Sequence, residues 1–143
     1  MFIKQLSIFV ENKPGRLAEI TEMLGEHNVD IRAVSISDTK DFGILRIIVN
    51  QPDETERILK SAGYTVSITY VIAIGIDDQP GGLAAAMRVL YENRISVDYM
   101  YAFLSKSEKP ASVILRVNDN ERAAAVLKEN GIQVLDHEFV ANI

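Results

Sequence analysis

The sequence predicts an α+β protein made of two tandem βαββαβ domains, residues 1–70 and 71–143. A Pro-Gly phrase occurs twice, with its prolines at Pro14 and Pro80, so the period is close to half of the chain. After each copy, apolar residues recur first at helical spacing and then in strand-like alternation, in the same order. Because two copies are too few for a solenoid, we expect two similar small domains without a flexible linker.

The repeat continues well beyond the Pro-Gly phrase. Leu24 matches Leu90 at the same spacing as the two prolines. Further along, Ile44-Leu45-Arg46 matches Ile114-Leu115-Arg116 at a slightly longer spacing, as a loop insertion would produce. This second match predicts that Arg46 and Arg116 occupy equivalent strand positions, where an arginine either contacts a ligand or lies along the sheet.

Each copy contains six predicted elements in the order strand, helix, strand, strand, helix, strand. In the first copy, Asp53 or Thr55 is expected to cap the second helix, Gly63 to end it, and the fourth strand to cover 64–71. The second copy has strands near 71–76, 97–104, 111–117 and 132–140, and helices near 81–93 and 119–130. This order predicts two ferredoxin-like domains, each a four-stranded antiparallel sheet with both helices on one face.

An aromatic row is predicted on the sheet face away from the helices. Alternation directs Tyr99, Tyr101 and Phe103 to that face and Met100 and Ala102 toward the helices. An exposed row of this size is typical of an interface. The sister domain and a second chain are both candidates for covering it.

Composition excludes several classes of function. The net charge of −5 opposes a nucleic-acid surface, and no apolar run approaches the roughly 20 residues of a membrane span. Without cysteine, and with only two histidines, the chain predicts neither a disulfide nor a metal site. No phosphate-binding loop or marked catalytic triad is present, so we expect no enzyme activity and no cofactor. No export signal is recognised, and a cytoplasmic location is expected.

The Pro-Gly phrase lies where a helix is predicted to begin. Unpaired N–H groups at a helix N-terminus bind carboxylates, and a glycine lets a ligand approach the backbone. Asn12 and Asp78, two residues before each proline, are expected to cap the helix or accept from an ammonium group. Such a corner suits a free α-amino acid; the alternative is a strand-to-helix turn that binds nothing.

The complete pattern resembles the ACT domain family. The phrase Asn12-x-Pro14-Gly15-x-Leu17 follows a strand and precedes an amphipathic helix and Asn28-Val29-Asp30-Ile31, and the second copy is similar. The resemblance covers residues 3–70 and 71–141. It implies a stand-alone tandem ACT protein, loosely similar to the small regulatory subunit of acetolactate synthase. Members of this family are mostly regulatory modules that bind amino acids at domain interfaces.

The resemblance implies ligand contacts from the two Pro-Gly loops and the two helix-to-strand corners. These residues are Asn12, Pro14, Gly15, Arg16, Leu17, Asn28, Asp30 and Ile31 in the first copy, and Asp78, Gln79, Pro80, Gly81, Gly82, Leu83, Arg94, Ser96 and Val97 in the second. Gly82 is expected to open the second backbone to a ligand. Asp77-Asp78 favours a ligand with a polar or cationic side chain, and the two copies are expected to bind with unequal affinity.

The function that follows is an amino-acid-binding regulatory protein, which is expected to sense a free amino acid at the interfaces of its ACT domains. It is expected to form a homodimer and to modulate an amino-acid metabolic enzyme in trans. The alternative is a non-catalytic scaffold subunit of a biosynthetic enzyme complex, which would bind no ligand.

Overall fold

The computed structural model describes residues 2–38, 41–103 and 111–141. The strands within these residues are β1 (Ile3–Glu11), β2 (Ile31–Asp38), β3 (Phe42–Val49), β4 (Val66–Ile76), β5 (Val97–Phe103), β6 (Ala111–Val117) and β7 (Gln133–Leu135). The helices are α1 (Arg16–Glu26), α2 (Pro52–Ser61), α3 (Gly82–Glu92), α4 (Asn120–Glu129) and α5 (His137–Ala141). The predicted α+β class and the tandem βαββαβ order are confirmed.

The chain divides into two compact units. The first unit is Lys4–Thr69, and the second is Tyr70–Ile143 together with Met1–Ile3. Strand β4 begins in the first unit and ends in the second. It is therefore the last strand of one βαββαβ motif and the first strand of the next.

The first unit has the strand order β2-β3-β1-β4. Alternate residues of β1 point to the core, where Leu6 lies opposite Ile47 and Ile8 opposite Leu45 in antiparallel register with β3. Because strand side chains alternate between faces, the opposite face carries Ser7 and Phe9. The core residues are Leu6, Ile8, Val10, Ile20, Leu24, Leu45, Ile47, Val49, Leu59 and Val66.

The second unit has the order β5-β6-β4-β7. Strand β4 pairs antiparallel with β6, with Ile72 opposite Leu115. Its core residues are Ile72, Ile74, Ala86, Leu90, Ile95, Val113, Leu115, Val117, Ala123 and Leu127. These residues come from strands and helices in the same pattern as in the first unit.

The register of the strands corrects one match between the copies. Leu6 and Ile72 are as far apart in sequence as the two prolines, so they occupy equivalent positions. Leu6 pairs with Ile47 and Ile72 pairs with Leu115, which makes Ile47 the counterpart of Leu115. The predicted match of Leu45 with Leu115, and with it the equivalence of Arg46 and Arg116, is wrong. Arg46 donates to Ser37 Oγ at 3.0 Å, whereas Arg116 donates to the Tyr70 carbonyl at 3.0 Å.

The end of the chain is also different from the prediction. In place of one strand over 132–140, β7 ends at Leu135 and the short helix α5 follows. Asp136 starts this helix, because its Oδ1 accepts from the Phe139 N–H at 2.8 Å. Val140 is fully buried, so the helix contributes to the core where a strand was expected.

The first residues of α2 show a third correction. The helix is capped at Gln51 and begins at Pro52, with no side-chain capping hydrogen bond, so neither Asp53 nor Thr55 is the cap. The Thr55 hydroxyl instead donates to the Gln51 carbonyl at 2.7 Å. Proline is favoured at this position because its missing N–H has no helical acceptor there.

The aromatic residues of β5 lie on the predicted face but are not exposed. Met100 pairs with the core residue Leu115, which places Tyr99 and Tyr101 on the opposite face. Tyr99 and Tyr101 are half-buried and Phe103 is buried, while Met100 is 44% exposed. The predicted face is confirmed, and the rings on it are largely covered and do not form an exposed row, whereas Met100 is exposed on the edge strand β5. Leu104 lies outside the described residues.

Candidate functional site

Both Pro-Gly loops begin a helix in the same way. Gly15 caps α1 with φ of 88°, and Gly81 caps α3 with φ of 92°. Neither helix has a side-chain capping hydrogen bond, so Asn12 and Asp78 do not cap these helices, and the alternative that they accept a hydrogen bond from an ammonium group stays a prediction. The Arg16 and Gly82 N–H groups donate to the Lys13 and Gln79 carbonyls, and the next N–H groups of each first turn, which have no side-chain acceptor, keep their capacity for an anion.

An open groove of about 460 Å³ adjoins the first Pro-Gly loop within the first unit. Its strand wall comes from the end of β1 and the start of β3, and its helix wall comes from the first turn of α1 and the turn between α2 and β4. The lining residues are Phe9, Val10, Glu11, Arg16, Glu19, Phe42, Ala62, Gly63, Tyr64 and Thr65. The volume is within the range of small-molecule sites.

Charged groups from both walls of the groove are joined by ion pairs and one hydrogen bond. Arg16 lies between two carboxylates, with Nη1 3.3 Å from Glu19 and Nη2 3.8 Å from Glu11. The Tyr64 hydroxyl donates to Glu19 Oε1 at 2.8 Å, and Lys13 Nζ lies 3.0 Å from Glu11. Together with Lys13 beside the groove, the two carboxylates are matched by two cations, so these four side chains carry no net charge.

This network shifts the pKa of two lining groups. The hydrogen bond from Lys13, followed by the charges of Lys13 and Arg16, lowers the pKa of Glu11, which is therefore ionised at neutral pH. Burial, followed by the hydrogen bond to Glu19, raises the pKa of Tyr64. Tyr64 consequently remains a neutral hydrogen-bond donor over the physiological pH range.

The strand wall is aromatic. Phe9 and Phe42 are 52% and 47% exposed, and their rings meet edge to face with centroids 6.1 Å apart. The Phe9 N–H donates to the Thr65 carbonyl at 2.9 Å, which joins this wall to the turn after α2. Half-exposed aromatic rings beside fixed charges form a surface that an amphiphilic small molecule can cover.

Sequence reasoning selected Arg16 in this groove and missed Glu19, Tyr64, Phe9 and Phe42. Glu19 is one helical turn after Arg16, a spacing that places two side chains on the same helix face. That spacing was an available signal. Tyr64 is far from the Pro-Gly loop in sequence, and nothing in the sequence places its hydroxyl beside α1.

In the second Pro-Gly loop, the extra glycine, Gly82, is required by the packing of the loop's own backbone. A Cβ atom added to Gly82 would lie 2.1 Å from the Asp77 carbonyl oxygen. This loop is tightened by hydrogen bonds from the Gln79 N–H to Asp77 O (2.9 Å) and from the Gly82 N–H to Gln79 O (3.0 Å). The close contact, within the chain itself, accounts for the glycine without any ligand.

The predicted corner residues of the first copy lie at the opposite end of α1 from the Pro-Gly loop. An eleven-residue helix is about 16 Å long, and Asn28 ends it with φ of 59°. The Asp30 N–H donates to Asn50 Oδ1 at 3.0 Å, and its carboxylate is 2.7 Å from Arg32. Asn12 to Leu17 thus adjoin the groove, whereas Asn28, Asp30 and Ile31 do not line it.

The second copy has the same separation. Arg94, with φ of 57°, ends α3, and the Ser96 N–H donates to Asn118 Oδ1 at 3.3 Å. Val97 begins β5 at this corner. The loop residues from Asp78 to Leu83 lie at the other end of α3, about 16 Å away along the helix axis. As ligand contacts, the residues of both copies stay predictions.

Two further kinds of site were sought in the described residues. No group of three or more His, Asp or Glu side chains there is arranged to hold a metal ion. None of the helices in residues 2–38, 41–103 and 111–141 is long and apolar enough to cross a membrane.

Comparison with known proteins identifies the family. The profile of the ACT domain pair matches residues 1–143. The crystal structure of protein BT0572 from Bacteroides thetaiotaomicron is 38% identical and superposes with a TM-score of 0.93, covering 100% of this chain and 98% of that one. No curated protein matches this chain.

A more distant similarity extends to regulatory subunits of aspartate kinase. The ligand-free subunit from Thermus thermophilus has 14% identity and a TM-score of 0.63, with 90% of this chain and 91% of that one covered. The Thermus flavus subunit has 14% identity and a TM-score of 0.61, with coverage of 90% and 92%. At this identity the similarity concerns the fold. By the match of its whole length, the chain belongs to the family of ACT domain pairs.

Proposed function

We propose that this chain binds a free amino acid in the groove of its first unit and modulates an amino-acid metabolic enzyme in trans. The observation that carries the proposal is the groove itself. It combines ion-paired carboxylates, half-exposed aromatic rings and an adjoining helix N-terminus that has no side-chain capping hydrogen bond. An α-amino acid needs an anionic partner for its ammonium group and N–H donors for its carboxylate.

Each part of an amino acid has a partner of suitable chemistry at this corner. Glu11 and Glu19 supply carboxylate oxygens for the ammonium group, and the first turn of α1 supplies N–H donors for the carboxylate. Arg16 lies near both carboxylates and Lys13 pairs with Glu11, so the corner as a whole is neutral and matches a ligand that carries one positive and one negative group. Phe9 and Phe42 offer an apolar surface to the side chain.

Regulation requires more than binding. A ligand shifts a conformational equilibrium only by its difference in affinity for the two states. The groove joins β1, α1, β3 and the α2–β4 turn, so an occupied groove would favour the arrangement in which these four segments are close together. A separate enzyme that contacts one of them would respond to that change. The fold shared with regulatory subunits of aspartate kinase supports this role as an analogy.

A scaffold without a ligand is the second candidate function. It is favoured by Val34 and Ile36, which are 58% and 49% exposed on the edge strand β2 of the first unit. Exposed apolar side chains on an edge strand suit a protein contact, either with a second copy in a homodimer or with an enzyme subunit.

A thermal-shift screen of the full chain against the twenty amino acids at millimolar concentration tests the proposal. A ligand at about 100 times its dissociation constant stabilises the fold by roughly 2.7 kcal/mol, which raises the melting temperature by several degrees. We expect one selective group of ligands whose effect is lost in Glu19→Ala. Glu22→Ala is the matched control, since Glu22 is exposed on the same helix and does not line the groove. A flat panel would favour the scaffold.

A further inference from the structure

We infer that each chain holds one such amino-acid site, in the first unit, and that its ligand is a zwitterion with an apolar side chain. The inference rests on the proposed function and adds the number of sites and the class of ligand. It comes from comparing the groove, residue by residue, with the same corner of the second unit.

Strand pairing fixes which residues correspond. In the first unit the Phe9 N–H donates to the Thr65 carbonyl, and in the second Gly75 pairs with Gln133. Phe9 and Gly75 are separated in sequence by the same number of residues as the equivalent core residues Leu6 and Ile72. Thr65 and Gln133 are separated by the same number as the equivalent residues Ile47 and Leu115. The turns before β4 and β7 agree as well, because the residues after Gly63 and Gly131 each donate an N–H to an equivalent leucine carbonyl.

The aromatic wall is not repeated in the second unit. Gly75 stands where the first unit has Phe9, so no ring is present there. Gln133 lies against this glycine, with Oε1 3.1 Å from the position that a Cβ on Gly75 would occupy. A polar side chain thus extends over the backbone where the first unit offers an aromatic surface. The counterpart of Phe42 is Pro110, which lies outside the described residues.

The polar side chains of the groove are not repeated in the second unit either. Three polar side chains of the groove have counterparts without a polar side-chain group: Gly82 for Arg16, Ala85 for Glu19 and Ile132 for Tyr64. Only the carboxylate of Glu11 has a counterpart, Asp77, which is exposed. The ion pairs and the tyrosine hydrogen bond that organise the first groove therefore have no equivalents at this corner of the second unit.

The charges of the groove select the ligand class. Glu11 and Glu19 are balanced by Arg16 and Lys13, so the groove suits a zwitterion, which has no net charge, and offers no carboxylate without an ion pair to a cationic side chain. The side chain then meets Phe9 and Phe42, where burying an ionised group is unfavourable and burying an apolar one is favourable. The expectation from the sequence that the ligand is cationic was based on Asp77-Asp78. These two residues belong to the second unit and do not line the groove.

Isothermal titration of the full chain tests both parts of the inference. The ligands are L-leucine, L-methionine and L-phenylalanine, compared with L-lysine and L-aspartate. We expect one molecule bound per chain, with an apolar amino acid bound most tightly. Phe9→Ala should weaken that ligand by roughly tenfold or more. Tyr91→Ala, at an aromatic residue that is 73% exposed in the second unit, should leave its affinity unchanged.

The outcomes separate this inference from the function on which it rests. Two molecules bound per chain, tightest binding of lysine or aspartate, or an unchanged affinity in folded Phe9→Ala would each overturn the inference alone. Stoichiometry and ligand ranking are measured on the unmodified chain, so they decide the matter even if the variant does not fold. No binding by any amino acid would overturn the proposed function, and the inference with it.

Discussion

Replacing Gly82 by alanine should destabilise the second unit, although alanine is the better helix former. The added Cβ would lie 2.1 Å from the Asp77 carbonyl oxygen, and an ordinary carbon–oxygen contact is roughly 3.3 Å, so the loop or the helix must move by about 1.2 Å. Overpacking of this kind costs about 1–3 kcal/mol, and the gain in helix propensity offsets up to about 1 kcal/mol. Taking the middle of both ranges, about 2 kcal/mol of cost and about 0.5 kcal/mol of gain, we expect a net loss of about 1–2 kcal/mol.

Gly25→Ala is the matched control, because it places the same side chain on a helix glycine of the first unit with no atom within 4 Å of the new Cβ. Its expected effect is a gain of up to about 1 kcal/mol. Urea unfolding measures both variants, and in thermal unfolding each kcal/mol corresponds to roughly 3 °C at this chain length. Equal stability of Gly82→Ala and the unmodified chain would refute the steric explanation and return Gly82 to the ligand-approach role.

Three further predictions concern the first unit. Gly63→Ala should cost about 1–3 kcal/mol from backbone strain alone, since Gly63 has φ of 91° and no atom within 4 Å of a new Cβ; unchanged urea stability would contradict this. Burial, followed by the hydrogen bond to Glu19, raises the pKa of Tyr64, so its contribution to stability is present below the ordinary tyrosine pKa and lost as pH rises through the folded value. The absorbance titration of Tyr64→Phe should therefore lack the late-ionising tyrosine, and a curve that differs only in amplitude would argue against the raised pKa of Tyr64. Lys13→Ala should raise the pKa of Glu11 toward its ordinary value in an NMR titration, and an unmoved pKa would exclude Lys13 as the main cause.

The fold was predictable because its signals are local and repeated. Strand alternation, helical spacing and the two Pro-Gly phrases identified the βαββαβ order and most element positions. The errors arose where local patterns compete. Asp136 caps a helix inside a segment whose apolar residues also alternate, and the Ile-Leu-Arg match aligned Leu45, in place of Ile47, with Leu115. The register of β3 and β6 is set by their pairing with β1 and β4. A short match between the sequences of two strands does not show that pairing.

The groove was only partly predictable, because its walls come from distant parts of the chain. The Pro-Gly loop identified the corner and Arg16, but Phe42 and Tyr64 reach it through sheet pairing and the turn after α2. From the sequence alone, Gly82 was expected to let a ligand approach the backbone. The close approach to the Asp77 carbonyl, which explains the glycine, is visible only in three dimensions.

The most direct test of the central claim is a two-dimensional ¹H–¹⁵N NMR titration of the full chain with the best-binding amino acid. If the site lies in the first unit, the amide signals of Phe9, Arg16, Glu19 and Tyr64 should shift with a single saturable dependence on ligand concentration. Those of their counterparts Gly75, Gly82, Ala85 and Ile132 should remain in place. Saturable shifts at the second set, or at neither set while the ligand binds, would contradict the assignment of the site to the first unit.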